Sequence, residues 1–247
     1  MLRYIHAELY RVFRKKSFYI YFGALALLYG FFVLIRTNGI GAESITNDAT
    51  QVFAYMPVLV GGYLFAVLYC DDLRSKNLAT LIGYGMQKTT IVLAKLVLSV
   101  LLNGLIFTLI SLFMFALYSL IGYIPSAPAV NEVFLHALKA ALLVIVYAAI
   151  TGVVVYGMQR STFAVVFYIL LSLGVIGQLM MAVFGWDVIS SFAPNLSNHL
   201  VSNIVVNLTI GATDGAVSWP SLIEYGAYIA GACALSVVAF RRKELEF

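Results

Sequence analysis

The residues of this chain that could carry chemistry are few and far apart. Four polar side chains stand within or beside long apolar runs: Asn103, Thr108, Gln178 and His199. Inside a membrane, an amide side chain bonds a neighbouring helix more often than a substrate. His199 has no second histidine, cysteine or carboxylate at ligand spacing, so the sequence predicts no metal site. Asn103, Thr108 and Gln178 lie within predicted spans, and they are the candidates for lining a transport pathway.

Motifs of known catalytic centres are absent from the sequence. It contains no G-x-x-x-x-G-K-[ST] loop for nucleotide phosphates, no H-E-x-x-H zinc motif and no G-x-S-x-G nucleophile turn. Nearly all ionisable residues fall outside the apolar runs, whereas ion-coupled carriers usually need a charged relay near the bilayer midplane. The sequence thus predicts no catalytic residue and no cofactor in this chain, and it indicates that energy comes from a partner.

The elements that position these residues are predicted to be membrane-spanning helices. The 247 residues are 62% hydrophobic, 14% aromatic and 11% charged, and the mean hydropathy is +0.97. A helical span needs about 20 apolar residues, and continuous rather than alternating apolar runs favour helices over a barrel. We expect an all-α membrane protein whose residues 1–247 form a single transmembrane domain. Its six transmembrane helices are predicted at 18–35, 52–69, 91–121, 133–155, 163–184 and 223–240.

Three segments outside the spans have patterns of their own. Residues 1–16 place apolar and charged side chains on different helical faces, which predicts a helix lying in the membrane interface. Residues 36–51 are polar and predict an outer loop. Residues 185–222 are too apolar for a solvated loop and too interrupted for a span, so we expect a re-entrant outer hairpin before the last span.

The stretch 71–95 concentrates six charges between two spans. Within it, Leu78, Leu81 and Ile82 have i, i+3, i+4 spacing and Gly85 favours helix termination, which predicts a short amphipathic helix at 74–85. Such a helix either lies in the headgroups or inserts its apolar stripe into a groove on a soluble partner. Lys95 is expected to extend its ammonium to the headgroups while its stem stays apolar.

The positions of the basic residues predict the orientation of the chain. Thirteen of the fifteen Lys and Arg residues lie before the first span, around 74–95, at Arg160 or after the last span. The positive-inside rule then places both termini and the 74–85 helix in the cytoplasm of a multi-pass cell (plasma) membrane protein. Because this topology accounts for the basic excess, no nucleic-acid partner is expected.

These features together resemble a known family. An interfacial N-terminal helix, six spans, a short helix between the second and third spans, a re-entrant hairpin and a basic ending are similar to the permease subunit of a type 2 ATP-binding-cassette exporter. The small six-span bacterial members are associated with peptide or antimicrobial export. The nearest local likeness is 85–91, Gly-Met-Gln-Lys-Thr-Thr-Ile, with Lys95; the ending 240–244, Phe-Arg-Arg-Lys-Glu, is also similar. The chain departs from the family at one place. Many members carry an acidic residue followed by Gly-Thr, whereas this chain has Asp72 followed by Lys76-Asn77.

The resemblance implies a coupling role for the helix at 74–85. Its ATPase-coupling residues would be Arg74, Lys76, Leu78, Leu81, Ile82, Gly85 and Lys88. A separate cytoplasmic ATPase subunit in two copies would bind ATP and Mg²⁺. A second permease chain, identical or homologous, would complete the pathway for an amphipathic or hydrophobic substrate such as a peptide. The chain itself would not be an enzyme.

Two other functions stay open at the level of sequence. An ATP-independent channel or carrier would transport without a partner. An intramembrane enzyme would need polar residues converging at one depth, for which Asn103, Gln178 and His199 are the candidates.

Overall fold

The computed structural model describes residues 1–35, 42–75, 77–184, 186, 196–213 and 218–243, and the regular structure within these ranges is helical, with no strand. Helix α1 is Leu2–Phe13 and α2 is Lys16–Ile35. Helix α3 is a continuous rod that begins with Ala42–Met56 and ends with Asp71–Arg74. The remaining helices are α4 (Asn77–Gly83), α5 (Lys88–Leu120), α6 (Ala127–Met158), α7 (Ser161–Ser172), α8 (Val175–Phe184), α9 (Val201–Thr213) and α10 (Trp219–Arg242).

Long apolar helices make this a multi-pass membrane protein. In the described ranges, five helices are long and apolar enough to cross a bilayer: α2, the Ser44–Leu73 part of α3, α5, α6 and α10. Helices α7 and α8 make a sixth if they count as one span, but they meet at an angle of 62°. Gly174 lies at this bend with φ of +77°, a conformation that glycine adopts without a Cβ clash. The single straight span expected at 163–184 is therefore wrong, because two helices meet at this bend.

Helix α6 is the centre of the bundle. It packs against α3, α5, α7, α9 and α10. Its buried side includes small residues such as Ala137, Ala140 and Ala148, which let neighbouring backbones approach closely. Helix α10 runs parallel to α6. Near the start of α10 the Tyr225 hydroxyl donates to the carbonyl of Leu142, and near its end the Phe240 ring packs against the Tyr156 ring. The two contacts therefore follow one another in the same order along both helices.

Helix α3 departs from α-helical geometry at Pro57–Gly61 and Ala66–Cys70, which form π-helical turns. Pro57 has no amide hydrogen, so it cannot donate the backbone hydrogen bond that an α-helix requires at this position. Its own carbonyl accepts a hydrogen bond from the Tyr168 hydroxyl at 3.1 Å. The Cβ of any side chain at Gly61 would lie 2.1 Å from that hydroxyl oxygen. Gly61 is therefore needed for the contact between α3 and α7.

Both described ends of the chain lie at one end of the bundle, here called the basal face. It comprises α1, α4, the start of α5 and the ends of α3, α6 and α10. Lys88 at the start of α5 donates to the carbonyls of Phe240 (2.8 Å) and Lys243 (3.1 Å) at the end of α10. At the opposite, distal face, the Tyr118 hydroxyl of α5 bonds the Asp48 carboxylate of α3 at 2.5 Å.

Several boundaries differ from those expected. Residues 42–51, expected in an outer loop, are the first turns of α3, and residues 36–41 lie outside the described ranges. The short helix expected at 74–85 is Asn77–Gly83. Within 185–222 the structure describes a 3₁₀ turn at Leu196–His199 and then α9, which at 13 residues is too short to span a bilayer. Helix α10 begins four residues earlier than expected because Pro220 suits a first helical turn.

Candidate functional site

Four charged side chains meet inside the basal face and form the buried ion cluster: Glu8, Arg11, Asp72 and Lys95. Lys95 Nζ lies 2.7 Å from Glu8 Oε2 and also contacts the Asp72 carboxylate. Arg11 lies 2.6 Å from Glu8 and 3.2 Å from Asp72. The side chains of Lys95 and Asp72 are each 1% exposed. Helices α1, α3 and α5 are thus joined by two cations and two anions.

The position of Lys95 corrects the sequence expectation. Its ammonium does not extend to the headgroups, because it is enclosed by the two carboxylates and lies 5.6 Å from the centre of the Tyr4 ring. An unpaired buried charge is strongly unfavourable, so the balance of two cations and two anions is what permits this burial. The i, i+3 spacing of Glu8 and Arg11 on α1 is a visible signal for half of the cluster.

The electrostatic surroundings favour the charged forms of Glu8 and Arg11 on α1. Burial alone would raise the pKa of Glu8, but Lys95 and then Arg11 outweigh it, so that this pKa lies below its ordinary value. Burial would lower the pKa of Arg11, but Asp72 and Glu8 raise it above its ordinary value. The neighbouring Tyr4 hydroxyl has a raised pKa, first through burial and then through Glu8. The two cluster residues on α1, Glu8 and Arg11, are therefore both favoured in their charged forms.

Helix α4 rests directly on this cluster. The Asn77 amide contacts the Asp72 carboxylate at 3.5 Å, and Leu78 is only 2% exposed. Leu81 and Ile82 are half-buried against the core. The stripe of Leu78, Leu81 and Ile82 was expected to enter a groove on a partner. Instead, Leu78 packs against the helices of its own chain and attaches α4 to them.

The exposed part of the connection lies after α4. Tyr84 is 86% exposed, and Gly85 follows it with φ of +83°. Gly85 fits the expectation that a glycine ends the helix, since this backbone conformation favours residues without a Cβ. The Arg74 side chain and Lys76 lie outside the described part of the structure. Tyr84 is thus a large aromatic side chain presented at the basal face, and the sequence reasoning had not selected it.

Lys88 is held within the chain as well. Besides its two carbonyl contacts at the end of α10, its ammonium lies 5.2 Å from the centre of the Phe240 ring. A cation at the carboxyl end of a helix is favourable because the last carbonyls and the helix dipole are negative there. Lys88 therefore links the turn after α4 to the last helix.

The three pathway candidates do not come together. Asn103 is fully buried, and its amide donates to the Ser99 carbonyl of its own helix at 2.7 Å. Its Oδ1 atom has no hydrogen-bond partner among the described residues. The Thr108 hydroxyl donates to the carbonyl of Gly104, also in α5. Gln178 lies on α8 and is exposed. Asn103 bonds its own helix because Ser99 is one turn away, so the expected bond to a neighbouring helix is not formed.

Gln178 lines a large apolar groove that the sequence did not predict. The groove has a volume of about 840 Å³ and lies between α6, the bent pair α7 and α8, the 3₁₀ turn, α9 and α10. Its walls are mostly apolar and include Met180 and Met181. The lining residues with a polar side-chain group are Tyr147, Gln178, His199, Ser202 and Tyr228. The groove exists because α7 and α8 diverge at Gly174.

His199 has partners that sequence spacing concealed. Its Nδ1 atom lies 3.2 Å from the Glu224 carboxylate, and its carbonyl accepts a hydrogen bond from Tyr228 at 2.8 Å. These contacts fix the 3₁₀ turn to α10 at the distal end of the groove. No group of three metal-ligating side chains occurs in the part of the chain that the structure describes.

Comparison of the chain with models of known protein families, with curated proteins and with solved structures gave no significant match. Its function is therefore inferred from its own residues: an ion cluster next to α4 at the basal face, and an apolar groove between α6, α7, α8, α9 and α10.

Proposed function

We propose that this chain is the permease subunit of a type 2 ATP-binding-cassette exporter. The observation that carries the proposal is the construction of α4. This short helix lies between two long apolar helices, is attached to the bundle through Leu78 and the buried ion cluster, and presents Tyr84 to its surroundings. A helix anchored in this way suits the transfer of a push from a soluble partner to the membrane helices.

The mechanism would run through the ion cluster. Closure of two cytoplasmic ATPase subunits on ATP and Mg²⁺ would push the tip near Tyr84, and the anchored α4 would pass the displacement to α1, α3 and α5 together. The π-helical turns in α3 supply places where that rod bends, since such turns are points of irregular hydrogen bonding. The opening itself would form with a second, identical or homologous permease chain.

The orientation and cargo follow from charge and composition. The excess of Lys and Arg around 1–16, 74–95 and 241–243 supports an orientation with the basal face in the cytoplasm of a plasma membrane protein. The walls of the groove are apolar and carry no ring of charges, which favours an amphipathic or hydrophobic cargo such as a peptide over a small ion.

Co-purification tests the coupling role. The full-length chain would be purified from its native membrane in mild detergent, and a co-purifying ATPase would be sought by mass spectrometry. We expect Tyr84→Asp to release the ATPase, whereas Ile124→Asp retains it. Ile124 is a matched control because it is 87% exposed and follows the opposite end of α5. The proposal fails if no ATPase is found, or if the chain transports in proteoliposomes without one.

An ATP-independent carrier is the second candidate, and the ion cluster is the observation that favours it. Buried ionisable groups inside a helix bundle often mark ion or proton relays, and Lys95 with its two carboxylates is such a group. If the chain is such a carrier, a pH gradient alone should drive uptake or efflux of its substrate in proteoliposomes. Such transport by the wild-type chain in the absence of any ATPase would favour the carrier over the exporter.

A further inference from the structure

We infer that the groove between α8 and α10 is a binding site for a membrane-dissolved cationic amphiphile, with its apolar body against α6 and α10 and its cationic head beside Glu224. The inference deepens the proposed function, on which it rests for the transport of that ligand. Binding itself requires no ATPase, so the two proposals are tested separately.

The dimensions of the groove suit one compact ligand. Its volume of about 840 Å³ falls in the range of small-molecule sites, which is roughly 300 to 1,000 Å³. Along α10 it extends from Ala227 to Leu235, which is about 12 Å at the helical rise per residue. Gly231 lies in the middle of this stretch, and a Cβ at that position would meet nothing within 4 Å. The groove therefore has free space beside the middle of this stretch.

The walls of the groove are accessible from the bilayer and adaptable. Met180 and Met181 of α8 are 45% and 41% exposed, and Leu235 of α10 is 60% exposed. Methionine side chains are flexible and polarisable, and they are common on surfaces that accept ligands of different shapes. A ligand dissolved in the membrane thus has a lateral route to the site.

The charges at the mouth of the groove select the head group. No Lys or Arg occurs among the described residues that line it. Glu224 contacts His199 at the rim, and the Glu224 side chain is 37% exposed. A cationic head is attracted to such a rim, whereas the anionic phosphate of a bilayer lipid is repelled.

Photocrosslinking of the purified full-length chain tests this site. The chain would be placed in phosphatidylcholine nanodiscs with three alkyl diazirine probes that share one chain and differ in the head: trimethylammonium, hydroxyl or sulfate. Labelled residues would be mapped by mass spectrometry. We expect the ammonium probe to label α8 and α10 within the groove more strongly than the other two. Glu224→Gln should reduce that preference about three-fold, as loss of a partly exposed charge predicts, while Glu132→Gln, at an exposed acid on α6, should not.

Blocking variants separate the groove from the general lipid boundary. Gly231→Phe should remove the groove labelling, and Gly226→Phe should not. Both glycines are on α10 with open space at the Cβ position, but Gly226 is not part of the groove. If Gly231→Phe is poorly folded, Gly177→Phe fills the groove from α8, where the Cβ position is also open.

Two results would overturn the inference. Equal labelling by the three probes would show that the site does not select a cationic head. Even labelling over all lipid-facing residues, with no excess in the groove, would indicate an ordinary lipid boundary.

Discussion

At the scale of single residues, Lys95 is the side chain on which the basal face most depends. It neutralises two carboxylates from different helices while being almost inaccessible to solvent. Lys95→Met keeps the apolar stem but leaves Glu8 and Asp72 with Arg11 alone, so one negative charge stays buried without a counter-ion. Breaking a buried pair in this way costs about 3 to 5 kcal/mol. We expect a large decrease in the thermal unfolding temperature of the purified protein.

The matched control for Lys95→Met is Lys15→Met. Lys15 pairs with Asp71 at the same face, but the two side chains are 28% and 34% exposed. An exposed pair contributes roughly 0 to 1 kcal/mol, so this variant should unfold close to the wild-type temperature. Equal effects of the two substitutions would show that the cluster is solvated.

Glu8 gives the basal face a dependence on pH. Its pKa in the folded chain lies below its ordinary value, which is about 4.3 in an unfolded peptide. Above that ordinary value both states are ionised and the stabilisation is complete. As the pH falls, the unfolded state binds the proton first, and the stabilisation is lost progressively until the folded carboxyl is also protonated.

We therefore expect hydrogen-exchange protection of α1 to be constant near neutral pH and to decrease on acidification below about pH 4.3. In Glu8→Gln, protection should be weaker at neutral pH, because Lys95 and Arg11 lose a partner, and its decrease with acid should be smaller. Protection that rises on acidification would contradict the assigned direction of the pKa shift.

At the scale of elements, the contact between α3 and α7 depends on the absence of a side chain at Gly61. In Gly61→Ala the new Cβ would lie 2.1 Å from the Tyr168 hydroxyl and 2.8 Å from a Val144 methyl. Overpacking of this kind costs about 1 to 3 kcal/mol. Tyr168→Phe removes the hydroxyl, so the double variant should recover part of the loss. Thermal unfolding of the two single variants and the double variant measures this coupling.

Gly62→Ala is the control for that cycle. Its Cβ would lie 3.9 Å from the Tyr168 ring, which is ordinary contact, and alanine is the better helix former. This variant should be neutral or slightly more stable than wild type. A similar loss at Gly61 and Gly62 would place the cause in the helix backbone rather than in Tyr168.

The helices could be predicted from the sequence more fully than the contacts between them. Continuous apolar runs over about 20 residues indicate spans without reference to any neighbour. The bend at Gly174 has a weaker signal, since a glycine in an apolar run is compatible with a straight helix. The ion cluster joins Lys95 to Glu8 across 87 positions, and no local pattern specifies that pairing. The apolar groove likewise results from how far α7 and α8 diverge.

At the scale of the whole molecule, α1, α4 and the end of α10 lie together at the basal face. The distribution of Lys and Arg predicts the cytoplasm. Tyr84 after α4 and Ile124 after α5 lie at opposite ends of α5, and they are 86% and 87% exposed. A difference in the reactivity of cysteines at these two positions would therefore report sidedness rather than burial.

We expect Ile124→Cys to react with a membrane-impermeant maleimide in intact cells, and Tyr84→Cys to react only after permeabilisation. The native Cys70 is buried and Cys233 is half-buried, so the unsubstituted chain supplies the background. The reverse pattern would place α4 outside the cell, where no ATP-hydrolysing partner could reach Tyr84, and it would remove the exporter proposal. Reaction of both cysteines in intact cells would show that the two faces are not separated by a bilayer, since an intact membrane excludes the charged reagent.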